Sequence, residues 1–135
     1  MFKGCMSLQT APELPASSFI LNKHEINEKT ADFCYASMFE DCKLLQRPPI
    51  LKVKDELSLG CYHKMFAYSG ITESPELKST ILPNSTIYKE GCYSSMFEGC
   101  DNLTATPILN ASNLTPYCYY SMFKGCTKLN KINSI

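Results

Sequence analysis

Apolar residues along this chain fall in short dense blocks, separated by polar stretches punctuated with proline. Residues 34–42 read Cys-Tyr-Ala-Ser-Met-Phe-Glu-Asp-Cys, with apolar side chains at block positions 1, 2, 5, 6 and 9. That spacing lies close to the i, i+4, i+8 row of a helix and predicts a short helical turn. Behind the block come Leu45, Pro49 and Leu51. The stretch they mark is too short and too proline-rich for a helix and predicts a brief extended strand.

The same block and tail recur along the chain. Met-Phe pairs stand at Met1-Phe2, Met38-Phe39, Met65-Phe66, Met96-Phe97 and Met122-Phe123. Four residues before the Met sit Cys34, Cys61, Cys92 and Cys118, each followed by Tyr; four residues after it sit Cys5, Cys42, Cys100 and Cys126. Leu8, Leu45, Leu103 and Leu129 follow at plus seven, Pro12, Pro49 and Pro107 at plus eleven, and Leu14, Leu51 and Leu109 at plus thirteen. The unit is therefore Cys-Tyr-x-x-Met-Phe-x-Gly-Cys-x-x-Leu-x-x-x-Pro-x-Leu, and a fixed period of this kind outranks any local reading. Met-to-Met spacings of 37, 27, 31 and 26 place extra chain near Ile20–Thr30 and Asn84–Tyr88, where loops would bulge from stacked units. Gly4, Gly99 and Gly125, with Asp41 in the second unit, sit where a helical turn would end in a left-handed residue. The expectation is a single domain over 1–135, with units near 1–33, 34–60, 61–91, 92–117 and 118–135. Its fold class is a leucine-rich-repeat solenoid of about five repeats, with short parallel β-strands on one face and short helical turns on the other.

Residues 1–16 (Met-Phe-Lys-Gly-Cys-Met-Ser-Leu-Gln-Thr-Ala-Pro-Glu-Leu-Pro-Ala) and 118–129 (Cys-Tyr-Tyr-Ser-Met-Phe-Lys-Gly-Cys-Thr-Lys-Leu) resemble the repeat of BspA-type leucine-rich-repeat proteins. The resemblance covers nearly the whole chain, with the third unit degraded and the insertions unmatched. It implies a curved solenoid used for adhesion or recognition at a cell surface or in a secreted protein of bacterial or phage type, with a virion as a further setting. It implies no catalytic residues and no fixed binding motif.

Composition changes the picture in a few places. The 13 Lys+Arg balance the 13 Asp+Glu, so the chain lacks the clustered basic face that nucleic acid requires. No apolar run reaches about 18 residues, so no membrane insertion is expected. All eight cysteines fall in the two motif positions. Within a unit the pairs lie too far apart for zinc knuckles, so no metal is expected. Two readings of the thiols stand: reduced, buried columns, favoured by Ser69 filling one position, and bridges between neighbouring units, which would suit a secreted protein. The Phe residues of the Met-Phe pairs read as a stacked aromatic spine, and Tyr117 and Tyr120 as exposed aromatics. Only His24 and His63 could serve a Cys-His pair, nothing brings them to a cysteine, and no phosphate-binding loop is present. The expectation is no enzyme and no cofactor. Four Asn-x-Ser/Thr triplets, at Asn84, Asn102, Asn110 and Asn113, read as turn residues.

Recognition would then fall on the positions that vary between units. Those between the motif Leu and Pro are Gln9, Thr10, Gln46, Arg47, Thr104 and Thr106, and they are the candidate contacts to a protein or glycan on another surface. The 20–30 insertion is a second candidate, since loops on rigid scaffolds carry function. Met1 occupies the motif Met position, so the chain reads as a piece of a larger protein or assembly. The competing class is a structural spacer in a surface appendage or virion, with end-to-end self-association through uncapped first and last units.

Overall fold

The computed structural model describes residues 1–19, 31–83 and 88–133. The 20–30 insertion, His24 and the Asn84 triplet lie outside them. The expected leucine-rich-repeat solenoid, with its parallel sheet and helical turns, is not what the chain forms. Among the described residues there is no helix and no sheet, only two isolated parallel bridges, Thr10 with Arg47 and Ala105 with Lys131.

The helical turn fails because every fourth residue is left-handed. Phe33, Ser37 and Asp41 have φ of 54°, 54° and 61°; Gly60, Lys64 and Tyr68 repeat the pattern at 55°, 54° and 57°. An α-helix needs φ near −63° at every residue, so none can propagate. The backbone instead forms overlapping β-turns. Amides of Ala36, Met38, Glu40 and Cys42 donate to the carbonyls of Phe33, Tyr35, Ser37 and Phe39 three residues back. The alternate amides point out of the unit: Tyr35, Ser37, Phe39 and Asp41 donate to Cys61, His63, Met65 and Ala67 in the next one, at 2.8–3.0 Å. Tyr62, Lys64, Phe66 and Tyr68 donate likewise to Cys92, Ser94, Met96 and Glu98, and Tyr93, Ser95, Phe97 and Gly99 to Cys118, Tyr120, Met122 and Lys124. Turn-closing and layer-joining amides alternate along the segment, so the second to fourth units leave no donor of it unpaired over eight consecutive residues.

Proline explains the missing sheet. The bridge residues Thr10, Arg47 and Ala105 stand two positions before Pro12, Pro49 and Pro107. A proline has no N–H to continue a ladder, so pairing stops after a single bridge. Near this edge the layers approach closely at Gly70, where an added Cβ would meet the Lys43 carbonyl oxygen at 2.1 Å.

The side chains of equivalent positions stack. Phe2, Phe39, Phe66, Phe97 and Phe123 follow one another at ring-centroid distances of 5.6, 5.7, 5.9 and 5.7 Å, tilted by no more than 8°. Tyr35, Tyr62, Tyr93 and Tyr119 form a second, parallel stack. Phe39, Phe66 and Phe97 are fully buried, as are Met65 and Met96. Phe19 enters from outside the motif and packs edge-on against Tyr35 and Tyr62.

All eight cysteines are free thiols. Three of the plus-four column have a directional role. Sγ of Cys42, Cys100 and Cys126 donates at 3.0 Å to the carbonyl of Phe2, Phe66 and Phe97 in the preceding unit. Those carbonyls therefore accept from a neighbouring unit's thiol, beyond any turn bond they hold. Ser69 stands in the same column, with its Oγ 3.8 Å from Cys100 Sγ.

Burial pushes the Cys92 and Cys100 thiols up to about 12 from an ordinary 9.0, and holds Cys61 well above 9.0 too. It raises Tyr62 and Tyr93 as well. The folded state thus holds protons that the unfolded chain gives up between about pH 9 and 12. Stability from these groups is complete below pH 9 and is lost as pH rises through that window. His63 shifts the opposite way: burial lowers its pKa below 6.5, so its contribution is lost on acidification. A series of thermal melts is expected to show a plateau between about pH 7 and 9 and a steepening fall above it.

Candidate functional site

The motif offset that defines the candidate contacts also brings some of them together. Leu8 and Leu45, at plus seven, turn inward, and Leu45 is fully buried. Gln9 and Gln46 come next, then Thr10 and Arg47, which face each other across the parallel bridge. Residues paired this way lie about 4.8 Å apart, so one unit's side chain reaches its neighbour's. Gln9, Thr10, Gln46 and Arg47 are all exposed and, with Leu44, line one open depression of about 470 Å³. The backbone beneath is tied to the third unit by the Thr72 amide, which donates to the Gln46 carbonyl at 3.0 Å.

Thr104 and Thr106 lie in the fourth unit, apart from that group. Thr104 is exposed, and its carbonyl accepts from the amides of Asn130 and Lys131 at 2.9 and 3.2 Å. Thr106 is buried, with only 6 % of its surface accessible. Its hydroxyl accepts from the Asn133 amide at 3.0 Å, and its carbonyl accepts from Asn133 Nδ2 at 2.7 Å. The Thr106 side chain therefore holds the fifth unit against the fourth. Asn113, from one of the Asn-x-Ser/Thr triplets, does similar work: its side-chain amide bonds both the N–H and the carbonyl of Leu82 at 3.0 Å.

The depression is rich in donors. Arg47 offers a planar fork of N–H groups, Gln9 and Gln46 each offer an amide donor and acceptor, and Thr10 offers a hydroxyl. Among the described residues no carboxylate pairs with Arg47. An unpaired guanidinium beside carboxamides suits a carboxylate, a sulfate or a row of hydroxyls, held by paired hydrogen bonds. Leu44, half exposed, supplies an apolar wall. Among the described residues no cysteine, histidine or carboxylate lines the depression. Among the described residues no three His, Cys, Asp or Glu side chains lie close enough to hold a metal ion, and no helix is long and apolar enough to cross a membrane.

Two other hollows lie elsewhere on the stack. One, of about 250 Å³, includes Lys89, Tyr88, Tyr120 and His63. The Lys89 ammonium lies 4.8 and 5.4 Å from the Tyr88 and Tyr120 ring centres, and His63 Nδ1 lies 2.5 Å from Ser94 Oγ. Only the exposed tyrosines beside the last unit hinted at it in the sequence. The other, of about 440 Å³, is apolar and lies at the end of the stack, where Phe123, Leu129 and Ile132 are uncovered. No family model, curated protein or solved structure matches the chain.

Proposed function

We propose that the chain is a non-catalytic binding module for adhesion or recognition, and that the Gln9–Thr10–Gln46–Arg47 depression contacts a protein or glycan on another surface. One observation supports this above the rest: four polar side chains, two from each of two units, converge on one open hollow around Arg47, which no described carboxylate pairs. The resemblance of the motif to BspA-type repeats points to the same role, at a cell surface or in a secreted protein, with a virion as the further setting. The chemistry of the hollow suits acidic or hydroxyl-rich groups, because a guanidinium bonds planar anions through two N–H groups at once. Binding would need no cofactor, nucleic acid or membrane insertion.

Immobilised panels of acidic glycans and acidic peptides provide the test. Arg47→Ala is expected to weaken retention by about 10-fold or more, the worth of a charge-assisted hydrogen bond. Gln46→Ala is expected to act in the same direction, less strongly. Retention that survives both substitutions, or none on either panel, removes the proposal. The competing reading, a structural spacer, draws on the stacking of like units, ring upon ring from Phe2 to Phe123.

A further inference from the structure

We propose that the hollow around Lys89 is a second binding site, which takes one acidic sugar residue: a pyranose ring carrying a carboxylate or a sulfate. The site shares no residue with the Gln9–Arg47 depression. Either can therefore fail without the other.

The hollow runs along the side of the stack. Lys64, Ser95 and Ser121 stand one residue before the Met of their units, and Glu98 and Lys124 two residues after it. Equal offsets set one unit's side chains beside the next unit's, so three units build one continuous lining. The extra chain ahead of the fourth unit adds Tyr88 and Lys89. No other unit carries a Tyr-Lys pair ahead of its first Cys.

The backbone departs from its pattern to place Lys89. Directly before the first cysteine, the second, third and fifth units have a left-handed residue: Phe33, Gly60 and Tyr117, at φ of 54°, 55° and 59°. In the fourth unit Gly91 holds that place without a positive φ, and the left-handed residue is Lys89, at 61°. Gly91 lies so close to the fifth unit that an added Cβ would be 2.2 Å from the Tyr117 carbonyl oxygen. A lysine persists in this region of φ only where its surroundings hold it there.

Those surroundings are aromatic. The Lys89 ammonium lies over Tyr88 and Tyr120, and Tyr117 meets both rings edge-on, at 5.1 and 5.7 Å. Among the described residues no carboxylate forms an ion pair with Lys89. Ring faces attract a cation without neutralising it, so its charge remains for a ligand. Lys64 and Lys124 add two further ammonium groups to the lining.

The rest of the lining selects a sugar over a bare anion. Glu90 and Glu98 also line the hollow and would repel an inorganic sulfate or phosphate. They accept from hydroxyl groups, as Glu98 already does from the Tyr68 hydroxyl at 3.1 Å. Ser95 and Ser121 offer hydroxyls of their own. His63 Nδ1 is engaged with Ser94 Oγ, which leaves Nε2 to meet a sugar hydroxyl in either tautomer. At about 250 Å³ the hollow is smaller than the roughly 300–1,000 Å³ of drug-sized sites and suits a single ring.

Titration of the full chain, followed by NMR of the backbone amides, provides the test. The probes are methyl glucuronide, a sulfated methyl glucoside, the plain methyl glucoside and inorganic sulfate. At least one acidic sugar is expected to bind with a Kd of about 1–10 mM, shifting the signals of Lys89, Ser95 and Ser121. The tighter of the two identifies the anionic group. The plain glucoside and inorganic sulfate are each expected to bind about 10-fold more weakly or less. Lys89→Ala is expected to weaken acidic-sugar binding by about 10-fold or more, and Lys89→Arg to retain most of it. Lys89 is exposed, so neither substitution disturbs the stacked core. No saturable shift with either acidic sugar up to about 50 mM overturns the proposal. So does inorganic sulfate or the plain glucoside binding as tightly as the acidic sugars, a shift map centred on Gln9 and Arg47, or an unchanged Kd in Lys89→Ala.

Discussion

Phe66→Ala is expected to destabilise the protein by about 3–5 kcal/mol, a large share of the total stability of a domain this small. Phe66 is fully buried and lies between two parallel rings, Phe39 at 5.7 Å and Phe97 at 5.9 Å. Truncation leaves a cavity that the stack cannot close by sliding, because layer spacing is fixed by hydrogen bonds on both sides. The Phe66 amide is held by Met96 and the Phe39 amide by Met65. Phe2→Ala removes the same ring from the open end, where it has one stacking partner and is half-buried. It is expected to cost about 1 kcal/mol, since the site is already partly hydrated. Urea denaturation of the two variants beside the parent chain provides the comparison. Equal losses would mean that the rings do not form a graded stack with an interior and ends.

That contrast bears on function. A binding edge holds its side chains in place only if the layers beneath do not slip, and Gln9 and Gln46 owe their proximity to layer spacing alone. The alternate-amide ladder and the thiol contacts of Cys42, Cys100 and Cys126 pin that spacing from the backbone. The Lys52–Glu13 ion pair adds a link between the first and second units. It is exposed, so its contribution is small.

Much of this arrangement was legible in the sequence, and the reasons for the rest are specific. The Met-Phe and Cys-Tyr spacing identified which residues would become neighbours, and the rings of Phe2 to Phe123 are stacked in that order. Gly4, Gly99 and Gly125 marked left-handed positions, and all three have positive φ. What they close is a β-turn, not a helix. Over nine residues a four-residue turn period places apolar side chains at the same offsets as a helical row, so Cys34, Met38 and Cys42 could not distinguish the two. The deciding feature, alternate amides directed to the next unit, depends on the neighbour and leaves no local mark. The strand reading failed at Pro12, Pro49 and Pro107, whose missing N–H groups stop the ladder at one bridge.

The candidate contacts divide for a similar reason. Gln9, Thr10, Gln46 and Arg47 share offsets from their Met residues, so stacking alone collects them. Thr106 shares the offset region too, but Asn133, from the next unit, bonds both its hydroxyl and its carbonyl. The hollow around Lys89 draws on three units and on Tyr88 at the edge of an insertion, so no single repeat could announce it.

The central claim is that alternate amides of each turn segment bind the next unit and so hold the layers in register. Amide hydrogen exchange, followed by NMR at a concentration where the chain is monomeric, tests it most directly. The amides of Tyr62, Lys64, Phe66 and Tyr68 are expected to exchange about a thousand-fold or more slowly than those of Tyr119, Ser121, Phe123 and Gly125. The two sets occupy the same positions in the turn, and among the described residues a following unit accepts the bonds of the first set alone. Exchange at the same rate in both sets would contradict the account.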